Sequence, residues 1–569
     1  MKLTLLLSGG WVLLAIPVLA QDYSRVAPKE VPAMASPTSA LPALPKAAGD
    51  SHEVLLPGLK GLVFVSKPER VVKNGVNTEG VTFTDVAVPD PSVFQGLVSP
   101  YIGHPFTRGQ LNEMITRVII YYRNHDRPIV DVFVPEQDIT IGTVQVVILE
   151  GYVGKITTTG NHWFSDHEIS SNIRLQPGDP IRSSELRADL DWLNANPFRS
   201  TDAIYHPGVQ LGATDIELRT QERFPLRLYA GYDNDGNPVT GLSREEAGFN
   251  WGNAFALGQQ FNFQYTTSGE DLRAESASYV IPLPWRNTLT FFGSYTETHG
   301  AIPPYLGISG RSYQISGRYS VPLPEFGSGP LKYKHNVAAG FDYKYNDNAL
   351  EFGGLSAGGT LYDVAQFVLS YNGALSDPHG RTTLDFEGYF SPGNWVGNNN
   401  DAAFNAAHTL AGSQYTYGTL MLERLNRLPG DWSVVLRGTL QLSDSNLAPS
   451  EQLGFGGYDT VRGYSERTTN ADEGTITTVE VRTPDLGIGQ PLDKAEWQLL
   501  AFWDQGTAFN HSLLTNEQRE TRLSSVGMGL RASVSTYMTL RLDWGLRLLA
   551  AGSDSRDGSR CDVSLVASY

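Results

Sequence analysis

The 569-residue sequence predicts two small α+β units followed by an all-β, 16-stranded transmembrane barrel. Three observations predict this. Helical spacing of apolar residues is confined to the chain before Arg223. After it, segments of about ten residues alternate in polarity, and the gaps between them are in turn long and short. The composition is 18% charged and 41% hydrophobic, with 58 Gly, 26 Tyr, 24 Phe and 10 Trp, which suits many short strands and turns better than helical bundles. A net charge of −17 argues against nucleic acid as the main partner, because neutralising phosphates needs a basic face. Cys561 is the single cysteine, so no internal disulfide or Cys-based zinc site can form, and it reads as a small strand residue.

Residues 1–20 carry a basic start at Lys2, an apolar run through Trp11–Val18 and a small residue, Ala20, the pattern of a cleaved secretory signal. Residues 21–57 are a Pro/Ala-rich linker, in which Pro28, Pro32, Pro37, Pro42 and Pro45 forbid a long helix. No later run of about 18 apolar residues predicts a transmembrane helix. In residues 58–150 the order is strand, helix, helix, strand, strand. Thr107 caps a helix whose apolar face carries Leu111, Ile115, Val118, Ile119 and Tyr122. The strand Ile129, Val130, Asp131, Val132, Phe133, Val134 is followed by Val144–Leu149. A shorter version of the same order occupies residues 151–223: a strand from Val153, a helix opened by Ser165 and Glu168 as a capping box, a helix Ser184–Leu193, and a closing strand Thr214–Arg219.

Residues 224–569 form the barrel. In Met538–Leu548 the apolar residues Met538, Leu540, Leu542, Trp544, Leu546 and Leu548 share one face, and Thr539, Arg541, Asp543 and Arg547 share the other. Segments begin near 226, 245, 259, 272, 288, 312, 334, 364, 380, 415, 431, 473, 495, 521, 538 and 560. Gaps after odd-numbered segments are long (235–244, 298–311, 346–363, 392–414, 445–472), and those after even-numbered ones are mostly short turns. A soluble sandwich would also alternate but would carry charges outside. Here the strongest apolar faces carry none, as lipid demands when a midplane Lys or Arg costs roughly 2–4 kcal/mol.

The most distinctive stretch is the loop 445–472, which holds Gly456, Gly457, Val461, Arg462, Gly463 and Tyr464 between the eleventh and twelfth segments. On the thirteenth, alternation turns Phe502, Asp504 and Gly506 inward, opposite Trp497, Leu499, Ala501 and Trp503. An aspartate inside a barrel needs a cationic partner, and the planar fork of Arg462 supplies one that a lysine could not match. From Asp444 to Arg462 the extended chain spans up to roughly 60 Å, about twice the membrane core, so the loop can fold inward.

The tandem βααββ units resemble POTRA domains, periplasmic modules that bind unfolded chains. Val461-Arg462-Gly463-Tyr464 with Phe502-x-Asp504-x-Gly506 resembles the paired motifs of the POTRA–barrel superfamily. Within it, two units, a Pro-rich start and this length most resemble the TpsB transporters of two-partner secretion, which export haemolysins and filamentous adhesins. The resemblance implies translocation of an unfolded exoprotein from periplasm to surface across the outer membrane of a Gram-negative bacterium, with folding of the cargo outside biasing its movement. It also implies capture by the POTRA-like units, with Ile129–Val134 as the candidate edge strand, since an open sheet edge accepts an extended peptide. The C-terminal strand Val563–Tyr569 resembles the end by which the barrel-assembly machinery recognises such proteins, and outer-membrane lipid is the surrounding partner. Several TpsB proteins have an N-terminal helix plugging the pore; the prolines of 21–50 do not favour one here. The alternatives are a barrel assembly factor and a passive porin with accessory domains. No catalytic constellation, cofactor motif or metal-ligand spacing is present in the sequence. No cofactor, metal or nucleic-acid partner is therefore expected.

Overall fold

The computed structural model describes residues 23–32, 34, 42, 44, 51–237, 239–269, 271–302, 306–327, 330–352, 355–488, 495–513 and 518–569. The expected signal, 1–20, and most of the expected linker lie outside the described residues. The chain divides into two compact units, one of residues 32–225 with Phe255–Gly258, the other of 1–31, 226–254 and 259–569.

The first unit contains a four-stranded and a three-stranded sheet, besides one two-stranded ribbon. In the four-stranded one the order is Gly80–Thr84, Gly61–Val65, Thr143–Glu150, Val130–Phe133. Gly61–Val65 runs parallel to both neighbours, and Val130–Phe133 runs antiparallel to Thr143–Glu150. The helices Pro91–Val98 and Arg108–Asn124 pack on it through Phe94, Val118 and Tyr122, which meet Leu62, Phe64, Val144 and Val146 in one core. Each helix begins where the sequence supplies a cap. The Asp90 carboxylate accepts from the Ser92 and Val93 amides. Thr107 and Gln110 form a reciprocal box, with bonds of 3.2 and 2.9 Å.

In the second sheet, Ala213–Glu222 lies between Tyr152–Thr159, parallel to it, and Arg199–Pro207, antiparallel. The helices are Asp166–Ser171 and Ser183–Leu193. Two sequence expectations change here. The strand Arg199–Pro207 was missed, because its buried positions are polar: Thr201 pairs with Thr220 at 3.0 Å and Asp202 with Arg219 at 3.0 Å. The capping box is half formed. The Ser165 hydroxyl accepts the Glu168 amide, but the Glu168 carboxylate turns to Arg199, whose full charge outbids a backbone N–H.

The other unit is a closed antiparallel barrel. Its sixteen strands, in order, are Leu226–Asp233, Arg244–Ala254, Gln259–Thr267, Leu272–Pro282, Thr288–Ile302, Leu306–Pro322, Lys332–Phe352, Leu355–Asp377, Gly380–Pro392, Gln414–Arg427, Ser433–Ser443, Glu473–Arg482, Ala495–Phe509, Glu520–Val534, Met538–Arg547 and Ser559–Ser568. The first and last close the ring from Tyr229↔Ser568 to Asp233↔Ser564. Alternation sets the faces: Leu499 and Trp503 are exposed to the lipid side, while Phe502, Asp504 and Ala508 are buried within. No described helix is long and apolar enough to cross a membrane.

Two strands begin well before their expected positions, at Leu306 and Leu355, and the strands preceding them run on to Ile302 and Phe352. The gaps 298–311 and 346–363, expected as loops, are largely paired strand: Thr298 opposes Gly310 and Asn348 opposes Thr360. Beyond the lipid both faces meet water, so alternation disappears from the sequence while ladder hydrogen bonding continues. The gap after the ninth strand holds a short helix, Asp401–Ala407.

Two parts of the stretch expected as linker are built into other structure. Val54–Leu56 pairs with Phe106–Thr107. Tyr23–Val26 makes one helical turn and, with the residues to Val31, groups with the barrel. The Lys29 ammonium lies 2.9 Å from Glu246, its amide donates to Tyr229 Oη at 3.0 Å, and Arg25 lies 3.0 Å from Glu466. The prolines that bar a long helix do not bar an extended strap whose charges find partners inside the wall.

Candidate functional site: the inward-folded loop

The segment between the eleventh and twelfth strands turns into the barrel and carries its own ribbon, Leu453–Phe455 against Thr469–Ala471. Gly456 follows at φ +97°, where an added Cβ would also meet the Ser465 carbonyl oxygen at 2.6 Å, and Gly457 continues the turn. The ribbon thereby delivers Val461–Tyr464 to the inner wall. Phe455, Val461 and Tyr464 are fully buried with Ile476, Ala508 and Leu523. Gly506 leaves the space this needs, since a Cβ there would stand 3.0 Å from both Phe455 and Val461.

Arg462 is 3% exposed. Its Nε and Nη2 donate to the two oxygens of Asp504 at 2.8 and 2.9 Å, and its own amide donates to Asp504 Oδ2 at 3.1 Å. Nη1 reaches Glu480 Oε2 at 3.0 Å and Asp543 Oδ1 at 3.4 Å. The guanidinium lies 3.5 Å above the Phe502 ring centroid, so the partner motif supplies a cation–π floor as well as a carboxylate. Gly463, at φ +90°, lies against Gly545; a Cβ on it would stand 2.8 Å from the Gly545 carbonyl. Tyr464 Oη donates to the Leu549 carbonyl at 2.7 Å and accepts the Ser524 amide at 3.1 Å.

The structure thus brings together the loop residues and the thirteenth-strand residues that the sequence singled out. It adds residues that sequence reasoning missed. Glu480 on the twelfth strand also receives Arg482 at 2.6 Å, and Asp543 on the fifteenth receives Arg531 at 3.0 Å and Arg541 at 2.7 Å. Arg541 reaches on to Asp459 at 2.9 Å. Arg462, Arg482, Arg531 and Arg541 therefore meet Glu480, Asp504, Asp543 and Asp459, four charges of each sign; the four arginines, Arg437, Glu480 and Asp459 line a polar cavity of about 90 Å³. Balance matters because an isolated buried charge is far costlier than a fully paired one. The available signal was positional: Glu480 and Asp543 are acids at inward-facing strand positions near Asp504.

The candidate edge strand lies elsewhere. Val130–Phe133 pairs on one side only, with Thr143–Glu150, among the described residues. Val130 and Val132 enter the core and Asp131 is exposed; Ile129 and Val134 flank the strand. Gly80–Thr84 is the other edge of the same sheet.

Comparison with known proteins bears on both regions. The family model described as haemolysin secretion/activation protein ShlB/FhaC/HecB matches residues 212–532. A POTRA domain of ShlB type matches 75–151, and a POTRA model described as a surface antigen variable number repeat matches 151–218. The heme/hemopexin transporter protein HuxB of Haemophilus influenzae is 22% identical over 460 residues, 77% of each chain. The hemolysin transporter protein ShlB of Serratia marcescens is 25% identical over 419 residues, 70% of each. In fold, the chain resembles CdiB from Escherichia coli with a TM-score of 0.71 at 16% identity, over 93% of this chain and 94% of that one.

Proposed function

The chain belongs to the haemolysin secretion/activation family ShlB/FhaC/HecB, and from that premise we propose how its parts divide the work of exporting one exoprotein. It resides in the outer membrane with its α+β units in the periplasm, and it is a transporter of a secreted protein. The periplasmic units capture the unfolded partner, with Val130–Phe133 adding it as a strand; the barrel then passes it outward. The Arg462–Asp504 pair holds the inward loop in the state from which passage begins. Supporting this reading above all is the buried two-pronged bond between a loop arginine and a wall aspartate, with bonds of 2.8 and 2.9 Å. A passive porin has no need to fasten a loop in its lumen with desolvated charge. Two relatives are named for haemolysin and heme/hemopexin transport, so a large secreted protein is the proposed class of cargo.

Deleting residues 58–223 tests the division. The barrel is expected to assemble while the partner stays in the periplasm; continued export would sink the transporter reading. Depletion of the full chain tests the assembly-factor alternative, which requires many outer-membrane proteins to fall together.

A further inference from the structure

The loop carries a second buried charge, upstream of its ribbon. Glu451 is 4% exposed, and both its oxygens accept from Lys344 Nζ, at 2.9 and 3.1 Å. Gln366 Nε2 and Tyr417 Oη donate to Glu451 Oε2 at 2.9 and 2.8 Å, and the Ser450 hydroxyl to Oε1 at 2.8 Å. Lys344, Gln366 and Tyr417 lie on the seventh, eighth and tenth strands, whereas Arg462 is held by the twelfth, thirteenth and fifteenth. The Glu451 carbonyl also accepts Gln441 Nε2 of the eleventh strand at 3.1 Å, so the two charges fasten the loop to neighbouring sectors of the wall, the seventh to eleventh strands and the twelfth to fifteenth.

The two fastenings differ in kind. Arg462 has three carboxylates, an aromatic floor and the close Gly463–Gly545 backbone contact behind it. Glu451 has one ammonium and otherwise neutral donors. An ammonium is a compact, strongly hydrated point charge without the geometric fork of a guanidinium, so water replaces it more readily. We propose that Lys344 and Glu451 are positioning residues forming the releasable anchor of the loop: their separation frees the loop from the seventh, eighth and tenth strands while Arg462 keeps it on the twelfth to fifteenth as a hinge. The inference rests on the barrel being a conduit, but its test requires no exported partner.

The full chain in a Cys561→Ala background is placed in planar lipid bilayers and its conductance recorded, with heat-modified gel migration reporting a folded barrel. Glu451→Gln and Lys344→Met are each expected to raise open-state occupancy about tenfold, the factor at stake in losing a charge-assisted bond. Lys344→Cys/Glu451→Cys joined by a bis-methanethiosulfonate linker is expected to stay closed, and reduction to open it. A folded Glu451→Gln that conducts like its parent overturns the proposal. So does a cross-linked pore that opens as freely as its reduced form, a comparison that decides the matter even if the single variants misfold. A negative result would remove the anchor and leave the export reading to its own deletion test.

Discussion

The first periplasmic sheet and the inward loop are both held by buried groups, but by opposite physics. In the core between that sheet and its helices, Phe94 of the helix Pro91–Val98 is fully buried, with ring centroids 5.0 Å from Phe64, 5.5 Å from Phe83 and 5.1 Å from Tyr121, edge to face. Such contacts are non-directional in the main and stabilise in proportion to area. The loop is fixed by charges that had to be stripped of water first, so most of their attraction offsets desolvation. The sheet is therefore built for stability, and the loop for being in one place. Losing a core ring should unfold something, whereas losing a loop charge should misplace something.

Phe94→Ala should cost about 4 kcal/mol, the cavity cost of a large ring, seen as protease sensitivity of the periplasmic region with barrel migration on gels unchanged. Arg462→Ala leaves Asp504 buried without its partner and should cost about 3 kcal/mol of loop anchoring. Secretion should fall to background while the barrel still migrates as folded; Arg462→Lys should not rescue it, because a lysine cannot bridge both oxygens. If Arg462→Ala instead unfolds the barrel, the contrast between stability and placement fails. Gly463→Ala, at φ +90° against Gly545, should cost about 2 kcal/mol, with secretion reduced more than barrel yield. Thr107→Ala removes half of the capping box and should cost about 1 kcal/mol in denaturant titration of the periplasmic region.

The smallest effect concerns acid. The Asp90 carboxyl is held below its ordinary value of 3.8, chiefly by the Ser92 hydroxyl and then by the Val93 amide. A carboxylate favoured by folding contributes fully above the ordinary value, and that contribution is lost as pH falls through the lower folded one. Asp90→Asn should therefore flatten the acid limb of periplasmic-region stability below about pH 4, with its small deficit against the parent present at neutral pH and vanishing in acid.

What the sequence disclosed depended on whether a feature was periodic. Strands bordering lipid on one face and the lumen on the other had to alternate, so the segments from Leu226, Gln259, Leu272, Ala495 and Met538 could be read directly. Strand continuation beyond the membrane could not, because nothing selects between two wetted faces. Arg199–Pro207 escaped for the reverse reason: its buried face is polar and satisfied by residues far along the chain. Arg462 and Asp504 were legible as a pair because spacing and inward direction both pointed at them. Lys344 and Glu451 were not, since 107 residues separate them and only the closed ring brings them together.

The lengthened strands have a consequence for the cell's outer face. Strands five to eight run 15, 17, 21 and 23 residues, against 8 and 11 for the first two. At about 3.3 Å per residue and a tilt near 45°, the longest rises about 50 Å, roughly twice the height of the apolar band. With the turns on the periplasmic side kept short, the excess stands outward as a stiff parapet on one sector of the rim. A large molecule approaching the mouth from outside therefore meets a tall wall over the fifth to eighth strands and a lower one over the first two.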